Sequence, residues 1–334
     1  MKKLIIKFNN WEYWPFWILY IPVFVNWIVS SIRLRSFLYF TTINPQIETG
    51  GFVNESKIDI LKQIPEKYIP RSILVTKDMS FSKVLEYIKN EGIIFPLIAK
   101  PNIGERGYNV HICATKEELK KHLKKNIGEF IIQDFVSYPL EVAVLYYKYP
   151  NNKKGVISSV CKKKFLTVTG NGIDNVRMLM KRNNRAILQV ERFEKEKSHL
   201  LEEIPEKGKS VVIEFIGNHT KGTMFLDAND LIDEDLVKAF DQICNSIPNL
   251  NYGRFDIKCA SIDDLKKLQN FAIMEINGVS GEPAHIYDPK HSFFNAVMTL
   301  LDHWKVLFRI SKNQIENGVK PMKMIEFIKY LKRV

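Results

Sequence analysis

Along most of the chain, short apolar runs alternate with stretches whose apolar residues recur every three or four positions. Phe81, Val84, Leu85 and Ile88 mark one face of a helix, and FPLIAK at 95–100 reads as a strand. Thr115 followed by Glu118 forms a capping box that opens the helix KEELKKHLKK. The run FIIQ at 130–133 predicts a second strand, and EVAVLYYKY turning through Asn151 and Asn152 into GVISSV predicts a hairpin. A helix around NVRMLMK and another over 233–247 follow. The strands YGRFDIKCA and FAIMEIN, joined by a polar turn, and a basic helix KMIEFIKYLKRV complete the pattern. Alternation of the two periods predicts an α/β or α+β fold in one compact body, without internal repeats.

The exception lies at the front. Residues 11–29, WEYWPFWILYIPVFVNWIV, are the most apolar and aromatic stretch, flanked by Lys2, Lys3 and Lys7 before and by Arg33 and Arg35 after. The length approaches the roughly 20 residues that span a bilayer, but Glu12, Pro15, Pro22 and Asn26 interrupt it, and Trp and Tyr favour the headgroup region. A monotopic or re-entrant segment is expected, with its basic flanks on the cytoplasmic face of the membrane; the rival reading is a helix buried against a soluble body. The aromatic density and the closing arginines do not match a cleavable leader.

Composition narrows the function classes. The 334 residues are 46% apolar, which excludes wholesale disorder, and 49 basic against 37 acidic side chains leave +12, favouring anionic partners. The basic patches at Lys120, Lys121, Lys124, Lys125 and 181–185 fall on helices with ordinary solvated faces, without a stacking-aromatic motif, so nucleic acid is set aside as a partner. Cys113, Cys161, Cys244 and Cys259 form no CxxC pair, which suits a reducing, cytoplasmic setting, and the seven histidines show no ligand spacing.

The chemistry-bearing residues gather in two places. On FAIMEIN, Glu275 and Asn277 are two apart and share a face; if this strand pairs with GRFDIK, Asp256 projects beside them. Two carboxylates and an amide oxygen suit Mg²⁺, while a solvated polar face remains the alternative. Lys100 ends an apolar strand just before the loop NIGERGYNV, where Gly104 and Gly107 would let backbone amides approach phosphate oxygens or simply make a turn.

In that order, FPLIAKP with its glycine loop, IIQDFVSYPLEVAV, TVTGNGIDNVRMLMKRNN, GRFDIK and MEINGVSG resemble the ATP-grasp superfamily of carboxylate–amine ligases over roughly residues 55–305. The family includes D-alanine:D-alanine ligase, RimK-type glutamate ligases and cyanophycin synthetase. The resemblance implies an α+β fold of two subdomains gripping ATP, and formation of an amide and ADP through an acyl phosphate. Lys100 matches the lysine on the ATP phosphates, and Lys57, preferred over Lys62, a second one. Gly104 to Gly107 match the lid, Gln133, Asp134 and Val136 the adenine hinge, and Glu141 the ribose acceptor. Asp256, Glu275 and Asn277 match the ligands of two Mg²⁺ ions, for which Mn²⁺ could substitute. Arg254 and Gly281 match the groups that stabilise the acyl phosphate and its tetrahedral successor.

Departures from the family are equally informative. The hinge glutamate is replaced by Gln133, the run Lys162 to Lys164 offers a further phosphate contact or a solvated edge, and EPAHIYDP does not reproduce the dipeptide ligases' substrate loop. His219 and His285 are candidates for orienting a substrate. The space of a front α/β domain is taken by the aromatic segment. The expected division is therefore 1–45 membrane-associating, 46–130 linker and first grasp subdomain, 131–310 second subdomain, and 311–334 a basic helix. The acceptor would be a small-molecule or lipid-linked carboxylate and amine; a catalytically inactive, nucleotide-binding, membrane-associated module is the competing class.

Overall fold

In the computed structural model, residues 2–104, 107–125, 128–215 and 217–333 are described. The chain enters as α1 (Lys2–Asn9) and, after a 3-10 turn at Trp11–Tyr13, continues as α2 (Phe16–Leu34). Pro15 sits at the N-cap of α2, where its missing N–H costs nothing, and Arg35, in the left-handed region at φ 52°, ends the helix. A connector leads to the short α3 (Lys57–Leu61), capped by Ser56, whose hydroxyl accepts from the Asp59 amide.

The next unit comprises β1 (Ser72–Val75), α4 (Phe81–Asn90), β2 (Leu97–Pro101), β3 (His111–Cys113), α5 (Lys116–Lys125) and β4 (Phe130–Asp134). Its strands form an antiparallel sheet in the order β1-β4-β2-β3. Strand alternation turns Leu97 and Ala99 into a core with Val84 and Ile88 of α4 and Leu119 of α5, and leaves Ile98 and Lys100 for the opposite face. The capping box of α5 closes: Thr115 Oγ1 accepts from the Glu118 amide at 3.2 Å, and Glu118 accepts from the Ala114 amide at 2.7 Å.

A second sheet follows, from β5 (Leu140–Tyr147) and β6 (Val156–Lys164), with a lobe of β7 (Thr167–Thr169), α6 (Val176–Arg182), α7 (Val190–Glu196), α8 (Ser198–Leu201) and β8 (Ser210–Val212) inserted before β9 (Met224–Asp227). Then come α9 (Glu234–Asn245), β10 (Tyr252–Cys259), α10 (Ile262–Lys266) and β11 (Phe271–Asn277). The five strands lie in the antiparallel order β11-β10-β5-β6-β9. Val142, Val144, Tyr146, Phe255, Ile257 and Ile273 face α9 and pack on Phe240 and Ile243. Because β-strand side chains alternate, Glu141, Lys163, Arg254, Asp256 and Lys258 emerge together on the other face. The expected polar turn between β10 and β11 contains α10, capped by Ser261.

The longest helix, α11 (Phe293–Glu316), has no counterpart in the sequence expectations, and α12 (Met324–Leu331) closes the chain. Residue 310, drawn as a subdomain limit, lies inside α11, and residue 130 opens β4. α11 mixes His303, Ser311 and Gln314 into its buried face, which blurs its apolar period. It supports α2 through Leu19, Val23, Val297 and Leu300. Among the described residues, α2 is the one helix long and apolar enough to cross a membrane, yet 22% of its apolar window is buried on the body.

Candidate functional site

The polar face of the five-strand sheet looks across a cavity of about 980 Å³ toward Ile98, Lys100 and Gln133 of the four-strand sheet. Register fixes its chemistry in rows. Lys258, Glu141 and Lys163 stand abreast on β10, β5 and β6; one row on, Glu275 is opposite Asp256; one row further, Asn277 is opposite Arg254. The expected convergence of Asp256, Glu275 and Asn277 is therefore present, with the Asn277 amide donating to Asp256 at 3.4 Å.

Charges interlock across those rows. Lys163, its side chain 6% exposed, lies 2.9 Å from Glu141 and 3.2 Å from Asp256, and Arg254 Nε is 3.5 Å from the same Asp256 oxygen. Burial alone would raise the Asp256 carboxyl, but the two cations outweigh it and hold the group below the ordinary carboxylate range. Burial likewise works against the Lys163 ammonium, and the two carboxylates more than reverse that effect. Lys100 differs: burial wins over the Glu275 charge and brings its ammonium down to about 8. Its Nζ donates to Gln133 Oε1 at 3.0 Å and to the Met274 carbonyl at 3.1 Å.

Lys57 reaches the cleft, hydrogen-bonded to the Gly104 carbonyl and 3.7 Å from Glu275, whereas Lys62 stays outside, 3.7 Å from Asp59. The lid expectation is framed by Gly104 and by Gly107, whose carbonyl accepts from Lys221 at 2.7 Å; Glu105 and Arg106 between them lie outside the described residues. At the hinge, Gln133 spends its amide on Lys100 and on Ser72, to which it donates at 2.9 Å, and Val136 accepts from Lys258 at 3.1 Å. The Asp134 side chain turns out of the cleft to pair with Arg71 at 2.6 Å, which leaves its backbone for the expected hinge.

Gly281 lies in a tight turn, where its N–H, expected to face an oxyanion, donates to the Gly278 carbonyl at 2.9 Å. The residue is glycine because a Cβ there would meet the Asn277 carbonyl at 2.6 Å and Arg254 Cβ at 3.0 Å. The connector clamps this loop: the Val279 and Ser280 amides donate to Gly50 and Gly51, and a Cβ on Gly51 would lie 2.6 Å from Gly278 Cα.

The aromatic N-terminal segment forms a wall of the same cavity. Glu12, its side chain 6% exposed, takes both Arg185 Nη2 contacts at 2.7 and 2.8 Å and the His219 ring at 2.6 Å. Burial favours its neutral form, but the His219 hydrogen bond and the Arg185 charge prevail and hold the carboxyl below its ordinary value. Trp11 donates to the His291 carbonyl at 2.9 Å and stacks on Tyr287 at 5.7 Å. Glu282 accepts from Tyr20 and, at 2.7 Å, from Tyr287. His285 binds Ser159 at 2.7 Å, outside the charged rows.

The cavity thus brings together most of the predicted set, places Lys163 of the expected basic run between Glu141 and Asp256, and adds Lys258, Glu12 and Glu282 to it. Lys258 was legible, being two residues beyond Asp256 on the same strand face. Glu12 and Glu282 depend on contacts across 173 and 262 positions of chain, which no local pattern encodes.

The donor set passes an elementary test for Mg²⁺. Three oxygen-bearing side chains share one face, the donor type Mg²⁺ prefers, and Asp256, with Lys163 at 3.2 Å and Arg254 at 3.5 Å from its Oδ1, is held in its charged, ligating form. Among the described residues no cluster of three or more His, Cys, Asp or Glu side chains is placed to hold a metal ion, so the set depends on the Asn277 amide and on ligand oxygens to complete a shell.

No protein-family profile and no curated protein sequence matches the chain. Solved structures similar to it include a D-Ala:D-Ser ligase from Enterococcus faecalis, 12% identical over 76% of this chain and 61% of that one, with a TM-score of 0.43. A D-alanine–D-alanine ligase from Bacillus anthracis is 14% identical over 78% of this chain and 68% of that one, with a TM-score of 0.43. A bifunctional glutathione synthetase from Pasteurella multocida is 15% identical over 74% of this chain but 36% of that one, with a TM-score of 0.39. The chain spans about a third of the last protein and less than two thirds of the first.

Proposed function

We propose that the chain is an ATP-grasp carboxylate–amine ligase, ADP-forming, that works at a membrane surface. The observation that carries the reading is the pair of facing arrays: Lys57 and Lys100 on one wall, and Arg254, Asp256, Glu275 and Asn277 in register on the other. Fixed cations opposite an oxygen cluster suit a polyphosphate with its divalent ions.

In this reading Lys57 and Lys100 bind the phosphates, the hinge backbone at Gln133–Val136 receives the base, and Glu141, oriented by Lys163, accepts a ribose hydroxyl. Asp256, Glu275 and Asn277 would hold two Mg²⁺ ions, which supply charge compensation to the transferring phosphoryl group. A substrate carboxylate oxygen attacks the γ-phosphorus, and the bond to the bridging oxygen breaks with its electron pair leaving on ADP. The amine nitrogen then attacks the acyl carbon, the acyl–phosphate bond breaks, and the nitrogen loses a proton as the amide forms. Arg254, close to the loop at Glu282, places a fixed charge where negative charge develops.

Membrane association rests on the outward face of α2, where Trp17 (53% exposed), Ile21 (52%), Val25 (58%) and Ile32 (69%) form one apolar surface beside the Lys2, Lys3 and Lys7 flank. A helix half sunk in the body fits a monotopic contact better than a span. Release of ADP from Mg·ATP, dependent on an added carboxylate and amine pool and lost in Arg254→Met, tests the ligase reading. ATP binding with no such turnover would favour the inactive module. Sedimentation with anionic vesicles, reduced by Val25→Glu with Ile32→Glu, tests the membrane contact.

A further inference from the structure

Beyond Arg254 the cavity does not end. It continues between α2 and α11 into a chamber lined by Leu19, Leu300, Trp304 and Leu307, with Trp14 and Phe293 at its edge, 5.5 Å apart ring to ring. The whole space, about 980 Å³, stands at the upper end of the roughly 300–1,000 Å³ of pockets that hold one ligand, so a nucleotide at the charged end leaves room for a second molecule. Nothing in phosphate chemistry calls for this second half. Its walls are aliphatic and aromatic.

A single anion stands at the junction of the two halves. Glu12, Glu141, Asp256 and Glu275 are each ion-paired, but the Glu282 carboxylate is held by the Tyr20 and Tyr287 hydroxyls. Hydroxyl donors orient a carboxylate without supplying a counter-charge; Arg254 acts on Glu282 only through space, its guanidinium bonded to the Glu282 carbonyl at 3.5 Å and not to the carboxylate, which keeps its oxygens for a second cation. Tyr20 comes from α2, the helix that also supplies Leu19 to the chamber, so the N-terminal segment builds both the polar and the apolar halves of this subsite.

On the ligase reading, we propose that the amine acceptor is an amphiphile: a primary ammonium seated on Glu282, which takes one proton from it so that the neutral amine can attack, with an aliphatic or aromatic tail between α2 and α11. The head then lies beside Arg254, where the acyl group is activated, and the tail reaches toward Leu300 and Leu307. The chamber explains why the segment is aromatic on its inner as well as its outer side.

The test is calorimetric titration of the full chain with n-butylamine, n-hexylamine and n-octylamine, each below its aggregation threshold, with n-octanol and ethanolamine as controls. Affinity should rise about fourfold per methylene, the worth of a buried CH₂. Glu282→Gln, which keeps one tyrosine donor on its oxygen and lets its NH2 donate to the other hydroxyl, should weaken octylamine tenfold or more while leaving octanol unchanged, as expected for loss of a charge-assisted bond. Leu300→Trp, which fills the chamber, should abolish both. Octylamine binding unaffected by Leu300→Trp would place the tail on the outer face of α2 and overturn the proposal, as would an equal affinity for ethanolamine. Mg·ATP titrations of the same preparations separate the two readings: ATP binding without octylamine binding removes the chamber, and octylamine binding without ATP binding removes the ligase and the acceptor role with it.

Discussion

Lys163 is the hinge of the charged face, and removing its charge is the sharpest test of how that face is held. In Lys163→Met the Glu141 contact at 2.9 Å and the Asp256 contact at 3.2 Å both disappear, leaving carboxylates whose side chains are 12% and 15% exposed. At an effective dielectric near 20 the Asp256 interaction alone has a gross Coulomb energy of about 5 kcal/mol, and stripping one partner from a buried pair costs about 3–5 kcal/mol. Arg254 still faces Asp256, so the lower end of that range, about 3 kcal/mol, is expected in urea unfolding. The exposed pair Arg71–Asp134 is the control; Arg71→Ala should cost no more than about 1 kcal/mol. The pH dependence has a definite sign. In the parent, Asp256 sits below its ordinary value, so its contribution is present above the unfolded pKa and is lost as pH falls through the folded one. In the variant the uncompensated carboxylates favour protonation, so part of the lost stability should return between pH 7 and pH 5. A loss under about 1 kcal/mol, or a pH profile parallel to the parent's, would refute the reasoning.

Other parts of the account make their own demands. Lys100 is brought down to about 8 by burial, so ATP affinity should be level below that pH and decline above it, while Lys100→Arg should hold its affinity to higher pH. The same shift penalises the folded state below pH 8, and stability from this group should rise between pH 8 and the unfolded lysine value. Glu12→Gln removes the anion that Arg185 and His219 share, and hydrogen exchange at residues 2–15 should accelerate at least tenfold while β10 stays protected; unchanged exchange would mean that the aromatic contacts alone dock the segment. Gly51→Ala places a methyl against Gly278 at a backbone φ of +78° and should destabilise the chain by more than about 1 kcal/mol, with the Asn277 loop the first region to loosen.

The strand-borne half of the site was legible in the sequence for a simple reason: side chains on strands repeat every two residues, so GRFDIK and MEIN declare which groups share a face before any pairing is known. The register places Asp256 opposite Glu275, as the pairing of the two strands implied, and adds Arg254 opposite Asn277. Lys100 and the β5–β6 hairpin were legible in the same way. Three kinds of information were not. α11 escaped because its buried face includes His303, Ser311 and Gln314, which break the apolar rhythm. The turn that takes up the Gly281 N–H was not legible because a motif names a residue and not the partner of its amide. The aromatic segment was read for the membrane first and for burial against the body second, but not as a wall of the cavity, since the contacts that make it one, Glu12 with Arg185 and Tyr20 with Glu282, join distant parts of the chain. Its two sides have different work: Leu19 and Tyr20 face the cavity, while Trp17, Val25 and Ile32 face outward.

The central claim is that two facing walls form a site for Mg·ATP, and the most direct measurement is calorimetric titration of ATP into the full chain with and without Mg²⁺, beside Asp256→Asn and Glu275→Gln variants whose folding is checked by circular dichroism. The account predicts binding that requires Mg²⁺ and weakens at least tenfold in each folded variant. Binding that is indifferent to Mg²⁺ and to both substitutions, or no binding by the folded parent chain, would contradict it.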